Sequence, residues 1–164
     1  MLVLVLFIVA CVIVFCFGFV LLFGAPFLPT LQPQIDTAFE LLDLRPGETL
    51  LELGCGDGRV LLAAAKRGIN TVGYELNPVM ATVAWLRTRG YRHYVKIVWG
   101  DYWRADWPPA EAVFAFILPR YMRKLHNKVV QYRHKPLKIA SFAFPIPNRE
   151  PSRQKLGVYL YEYK

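Results

Sequence analysis

The chemistry in this sequence is concentrated in a short constellation: Glu52, Gly54, Gly56, Asp57 and Gly58, with a further carboxylate at Glu75. The run Thr49–Leu53 is apolar and β-compatible, and after the glycines the chain continues into helix formers from Arg59 to Arg67. A strand that turns through glycines into a helix aims backbone N–H groups at an anionic or polar ligand. Alternating glycines cost conformational entropy, so their spacing calls for close approach of backbone to that ligand. Glu75 follows Gly54 by 21 residues, near the end of a second β-compatible run, Thr71–Leu76. Open α/β folds bind the ribose hydroxyls of a nucleoside at that place, and a carboxylate suits the task because it accepts two hydrogen bonds at once. A dinucleotide fingerprint, G-x-G-x-x-G/A, fails at Arg59; the spacing found is E-x-G-x-G-x-G.

The elements that position these residues alternate in type. Asn77 as N-cap and Pro78 at the first helical position open a helix to about Arg89. A third strand over Val95–Val98 leads into Gly100-Asp101-Tyr102-Trp103, and a fourth, Ala112–Leu118, leads into a basic helix from Pro119 to Arg133. A fifth strand covers Leu137–Phe144, and a last one, Gly157–Tyr163, follows without a helix and is expected antiparallel to it. The pattern predicts an α/β fold with a doubly wound, mainly parallel sheet.

Three segments are expected. Residues 1–23 are apolar without a charge, long enough as a helix to cross a ~30 Å hydrocarbon core, and read as an uncleaved transmembrane anchor. Residues 24–34 form a proline-rich juncture, and residues 35–164 the domain proper, entered by a short amphipathic helix from Ile35 to Leu44. The charge of +8 comes from a part of the chain after position 44, where all 20 Lys and Arg residues lie. That balance suits an acidic partner or a solvated basic face, and by the positive-inside rule it puts the domain on the cytoplasmic side of a single-pass anchor. Cys11, Cys16 and Cys55 form no C-x-x-C pair, and His93, His126 and His134 lack ligand spacing, so neither a disulfide framework nor a metal is expected.

The glycine loop with its preceding acid resembles the S-adenosylmethionine loop of class I methyltransferases. That ligand carries a sulfonium and an α-amino acid tail, so acids such as Glu52 and Asp57 beside the loop make electrostatic sense. Residues 63–78 resemble the membrane-anchored protein-lysine methyltransferases, which include mitochondrial enzymes acting on the c-ring protein of ATP synthase and on the adenine nucleotide translocase. The likeness continues at residues 100–104, 113–122 and 144–148, and spans roughly 26–151. It implies a Rossmann-like class I methyltransferase sheet preceded by one N-terminal transmembrane helix, with S-adenosyl-L-methionine as cofactor. It further implies that Glu52, Gly54, Gly56 and Asp57 hold the methionine moiety, that Glu75 holds the ribose, and that Asp101 meets the adenine amino group beside Tyr102 or Trp103. Asp101 and Tyr102, with the segment Ser141–Pro147, are candidates for lining a lysine channel, and Thr30 is a further candidate if the juncture folds over the site. The expected partners are a protein substrate, itself a membrane protein, and a lipid bilayer contacted through residues 1–23.

Nucleic acid is disfavoured. Enzymes that methylate nucleic-acid amines carry Asn/Asp-Pro-Pro-aromatic after the fourth strand, and Ile117-Leu118-Pro119-Arg120 stands there instead. A lipid or hydrophobic acceptor, or a module that binds the nucleoside without turnover, are the other readings. One departure from the family pattern is Arg149, at a position aligned with a tryptophan.

Overall fold

The protein is described by a computed structural model that covers residues 1–23 and 28–164, with the side chains at 13, 16, 17 and 19–23 outside the description. Residues 24–27 of the expected proline-rich juncture therefore lie outside the described residues. The elements run α1 (Leu2–Phe23), α2 (Gln32–Leu42), β1 (Thr49–Leu53), α3 (Arg59–Ala65), β2 (Asn70–Glu75), α4 (Pro78–Arg87), β3 (Val95–Trp99), β4 (Ala112–Ala115), α5 (Pro119–Val130), β5 (Leu137–Phe142), β6 (Arg153–Lys155) and β7 (Val158–Tyr163).

The strands form one seven-stranded sheet in the order β3-β2-β1-β4-β5-β7-β6. The first five strands pair in parallel, and β7 runs antiparallel to β5, with Ser141 opposite Tyr159. The order reverses at β1–β4, and there the connections leaving β1 and β4 diverge to open a crevice for a ligand. Alternation along β1 sorts its side chains. Leu51 and Leu53 join the core under α5, with Val113, Met122, Leu125, Ile139 and Tyr161. Leu50 faces the opposite core, with Ile35 and Leu42 of α2, Val60 and Ala64 of α3, and Phe114. Helices thus cover both faces, which is why β1 and β4 are apolar nearly throughout rather than alternating. Gly73 of β2 is small for a packing reason: a Cβ there would lie 2.5 Å from Leu61 Cδ1 and 3.0 Å from Cys55 Sγ.

The parallel sheet and its antiparallel last strand agree with the sequence pattern. The transmembrane helix of that expectation does not stand. The apolar N-terminus is helical, but among the described residues no helix is long and apolar enough to cross a membrane. The uninterrupted stretch of α1 with described side chains, residues 2–12, rises only roughly 17 Å, against a ~30 Å hydrocarbon core. The amphipathic helix starts earlier than expected, at Gln32, because Pro33 takes a first-turn position where its missing N–H costs nothing. Strand β6 is an addition. It pairs with β7 through a two-residue turn, Leu156-Gly157, in which both residues have positive φ (46° and 76°).

Candidate functional site

The C-terminal ends of β1, β2 and β3 bring the sequence constellation together. Gly54, Gly56 and Gly58 all take positive φ (80°, 52° and 76°), the region that glycine enters at no steric cost. The turn is anchored to the next strand, since the Gly54 and Cys55 N–H groups both donate to the Tyr74 carbonyl (2.9 and 2.8 Å). Nothing lies within 4 Å of where a Cβ on Gly54 would stand, so its face is open toward a ligand. Gly58 is the opposite case. A Cβ there would meet Ala84 Cβ at 2.9 Å and Ala84 Cα at 3.0 Å, so this glycine lets α4 pack against the start of α3. Gly58→Ala therefore combines left-handed backbone strain of about 1–2 kcal/mol with a clash against backbone. Its thermal midpoint is expected to fall by about 5–15 °C; a melting curve within about 2 °C of the unaltered protein would contradict the packing argument.

Glu75 is buried at the floor of the crevice. One carboxylate oxygen accepts from the Gly56 N–H (2.8 Å) and the other from the Asn77 N–H (2.8 Å). The carboxylate thereby ties the glycine turn to the start of α4. Asn77 caps that helix as expected, its side-chain oxygen accepting from the Val79 and Met80 N–H groups (2.9 and 3.3 Å). Burial pushes the Glu75 carboxyl upward, while the N–H groups of Asn77, Gly56 and Leu76 oppose the rise.

Glu52 lies deeper, and its Oε2 has no hydrogen-bond partner. Desolvation raises its pKa well above the carboxylate range, and repulsion from Asp57 and Glu75 adds to the rise. An orphaned acid between two others is the arrangement a cationic ligand group would relieve. Asp57 is not orphaned. Burial works against its ionisation, but hydrogen bonds and charge from Arg59 and the charge of Arg87 outweigh it and hold the carboxyl low. Its ion pairs are 2.8 Å to Arg59 and 3.0 Å to Arg87. Arg59 also donates to the Thr30 carbonyl (3.2 Å), which lays the segment before α2 against the glycine turn. Arg87 carried no signal in the sequence, because it reaches Asp57 only through the folding of α4 against α3.

Asp101 comes to the same crevice, since the Gly100 N–H donates to the Glu75 carbonyl (2.9 Å). Its Oδ1 accepts from the Trp103 N–H (2.8 Å), and its Oδ2 lies 3.7 Å from Arg104. Tyr102 packs beside Trp103, ring centroids 4.7 Å apart. Burial, reinforced by the Asp101 charge, pushes its phenol far above the ordinary range, so it stays protonated at neutral pH. Across the crevice, Ser141 is fully buried and donates to the Phe144 carbonyl (2.7 Å), while Tyr161 accepts from the Ile146 N–H (2.9 Å). Phe116, just past β4, stands 4.6 Å from Phe142 and 6.5 Å from Phe144, an aromatic wall that sequence reading passed over.

Other candidates lie elsewhere. Arg149 sits over the Tyr163 ring (4.0 Å) and donates to the Glu162 carbonyl, along β7. His126 pairs with the Tyr163 hydroxyl (2.8 Å), and among the described residues no group of His, Cys, Asp or Glu is arranged to hold a metal.

The crevice, the glycine turn and the strand order are shared with known proteins. Residues 52–153 match the ANTKMT methyltransferase domain. The chain belongs to this family. The ANTKMT-type chain is 34% identical over 130 residues to the human lysine N-methyltransferase of the ATP synthase c-ring protein, covering 77% of this chain and 54% of that protein. It is 26% identical to a protein-lysine N-methyltransferase of Saccharolobus islandicus, covering 77% of this chain and 81% of that one. It thus spans about half the length of the human relative. Among solved structures, an RNA methyltransferase from Salinibacter ruber in complex with S-adenosyl-L-homocysteine superposes with a TM-score of 0.78 at 29% identity. That match covers 82% of this chain and 93% of the other.

Proposed function

We propose that this chain is an S-adenosylmethionine-dependent methyltransferase that methylates a lysine side chain of a protein. The observation that carries the reading is the pair of carboxylates at the crevice: Glu75 fixed between the Gly56 and Asn77 N–H groups, and Glu52 buried without a partner behind it. These residues fit the cofactor's two ends. Glu75 retains lone pairs for the ribose hydroxyls, and the orphaned Glu52 oxygen offers a counter-charge to the amino acid tail, with the open face of Gly54 giving the backbone access. When bound, S-adenosylmethionine supplies an electrophilic methyl group for in-line displacement.

The chain's own contribution is positioning and exclusion of water. A lysine entering between Asp101–Trp103 and Phe116–Phe144 would leave bulk water, and burial lowers its pKa toward the neutral amine that attacks. Tyr102, held as a neutral phenol, suits orientation of that amine rather than removal of its proton. Asp101 braces the turn through the Trp103 N–H.

Relatives named for lysine methylation of the ATP synthase c-ring protein and of adenine nucleotide translocase support a protein acceptor, and a membrane protein is the substrate class we infer. The reaction would run on the cytoplasmic side, where the methyl donor is present. A second reading, an RNA acceptor, is favoured by the Salinibacter structure. Against it, Lys124 and Lys128 of the basic helix are turned onto Trp103 and Trp107 (4.4 and 5.0 Å) rather than outward.

The test incubates purified protein and methyl-tritiated S-adenosylmethionine with membranes and cytosol from cells lacking the gene. Label in a protein band, mapped to lysine by mass spectrometry, is the expected result. Label confined to RNA or to the organic extract would overturn the lysine assignment, and no label beside measurable cofactor binding would point to a binding module.

A further inference from the structure

We propose that Lys128, on α5, is a positioning residue of the cofactor site: its ammonium holds the β3–β4 loop that carries Asp101 and Tyr102. The inference rests on the cofactor reading above. The loop between β3 and β4 has no ladder of its own, so its backbone carbonyls need partners from elsewhere. Lys128 Nζ donates to the carbonyls of Trp103 (3.1 Å) and Ala105 (2.9 Å), and stands 5.0 Å over the Trp107 ring. Trp107 in turn donates its indole N–H to the Tyr102 carbonyl (3.0 Å).

One turn earlier on the same helix face, Lys124 Nζ stands 4.4 Å over the Trp103 ring, and Tyr121 packs its ring 5.8 Å from it. Just beyond the helix end, the Tyr132 hydroxyl donates to the Pro108 carbonyl (2.6 Å). The i, i+4 spacing of Lys124 and Lys128 lays the two cations along the loop. A lysine in this position is desolvated, which works against its charge, and the negative charges of Asp106 and Asp101 oppose that loss. Its ammonium is a compact donor with a long apolar stem, so it can lie on indole faces and still reach two carbonyls. Each of these bonds is a charge-assisted one, stronger than a neutral pair.

Two readouts test the role. Calorimetry with S-adenosyl-L-homocysteine is expected to show a roughly 10-fold weaker Kd for Lys128→Met and a change within about threefold for Lys128→Arg. Hydrogen exchange of the amides over residues 101–107 is expected to speed up in the Met variant and to stay unchanged in the Arg variant. Lys128→Gln, which keeps a donor, is expected between the two and serves if the Met variant does not fold. Unchanged Kd in both Lys128→Met and Lys128→Gln, with faster exchange, would overturn the positioning role, since the clamp would then be purely structural. A failure of the unaltered protein to bind S-adenosyl-L-homocysteine would instead overturn the cofactor reading, and is told apart because the exchange difference between variants would persist.

Discussion

Glu75→Ala is expected to weaken S-adenosylmethionine binding by about 100-fold or more, the largest loss from a single side chain in this protein. Two hydrogen bonds from a charged group to the ribose, each worth about 1.5–3 kcal/mol, account for a loss of that size. The same carboxylate accepts from the Gly56 and Asn77 N–H groups, so truncation also leaves two buried donors without partners. Stability should therefore fall as well, by about 1–3 kcal/mol, while the cores under α2 and α5 keep the sheet folded. Glu75→Gln does not restore function. Its amide presents one oxygen and one NH2, and the NH2 would face a backbone N–H. Calorimetry at a temperature where circular dichroism shows a folded variant separates the two effects. Undiminished binding by Glu75→Ala would refute the ribose assignment.

Glu52 gives the opposite pairing of stability and function. Its Oε2 is buried without a partner, and its charge is opposed by burial and by Asp57 and Glu75. Glu52→Gln removes that charge at nearly constant volume, so the cofactor-free protein should become more stable near neutral pH, by about 1–3 kcal/mol, or several degrees in Tm. Affinity for S-adenosylmethionine should drop by about 10- to 100-fold as the counter-charge for the amino acid tail is lost. The sign of the pH dependence follows from the raised pKa. The folded state holds the Glu52 proton more tightly than the unfolded chain, so stability falls as pH rises from the ordinary glutamate value through the raised folded value. The Tm advantage of Glu52→Gln should shrink toward zero below about pH 4. An advantage constant with pH would show that Glu52 is not the acid responsible, and a Glu52→Gln variant that binds normally would remove it from the cofactor's tail.

Much of the fold was legible because its signals are local. β1 reads as a buried strand from its apolar run, α4 starts where Asn77-Pro78 says it must, and Gly68 closes the turn after α3 with φ of 74°. β6 was not legible, since Arg153–Lys155 is short, polar and exposed and has no alternation to detect. Its turn was hidden too: Leu156 takes positive φ, where a hairpin signal would be Asn, Asp or Gly. Similarly, the apolar N-terminus announced a membrane span by composition alone, and the described helix does not supply one.

The sequence by itself determined which residues gather at the ligand: the glycine turn that only positive φ can make, and the carboxylates on two successive strands. The rule that parallel strands place their C-terminal ends together then forces Glu52, Gly54, Gly56 and Glu75 into one crevice. Tertiary structure alone decided what those groups do there. Asp57 and Glu52 are both acids beside the same glycines, yet Arg59 and Arg87 neutralise one and leave the other orphaned. Lys128 is one cation among several on a basic helix until the packing of α5 carries it onto the carbonyls of Trp103 and Ala105. Such pairings depend on distances between residues remote in the chain, and local periodicity holds no record of them.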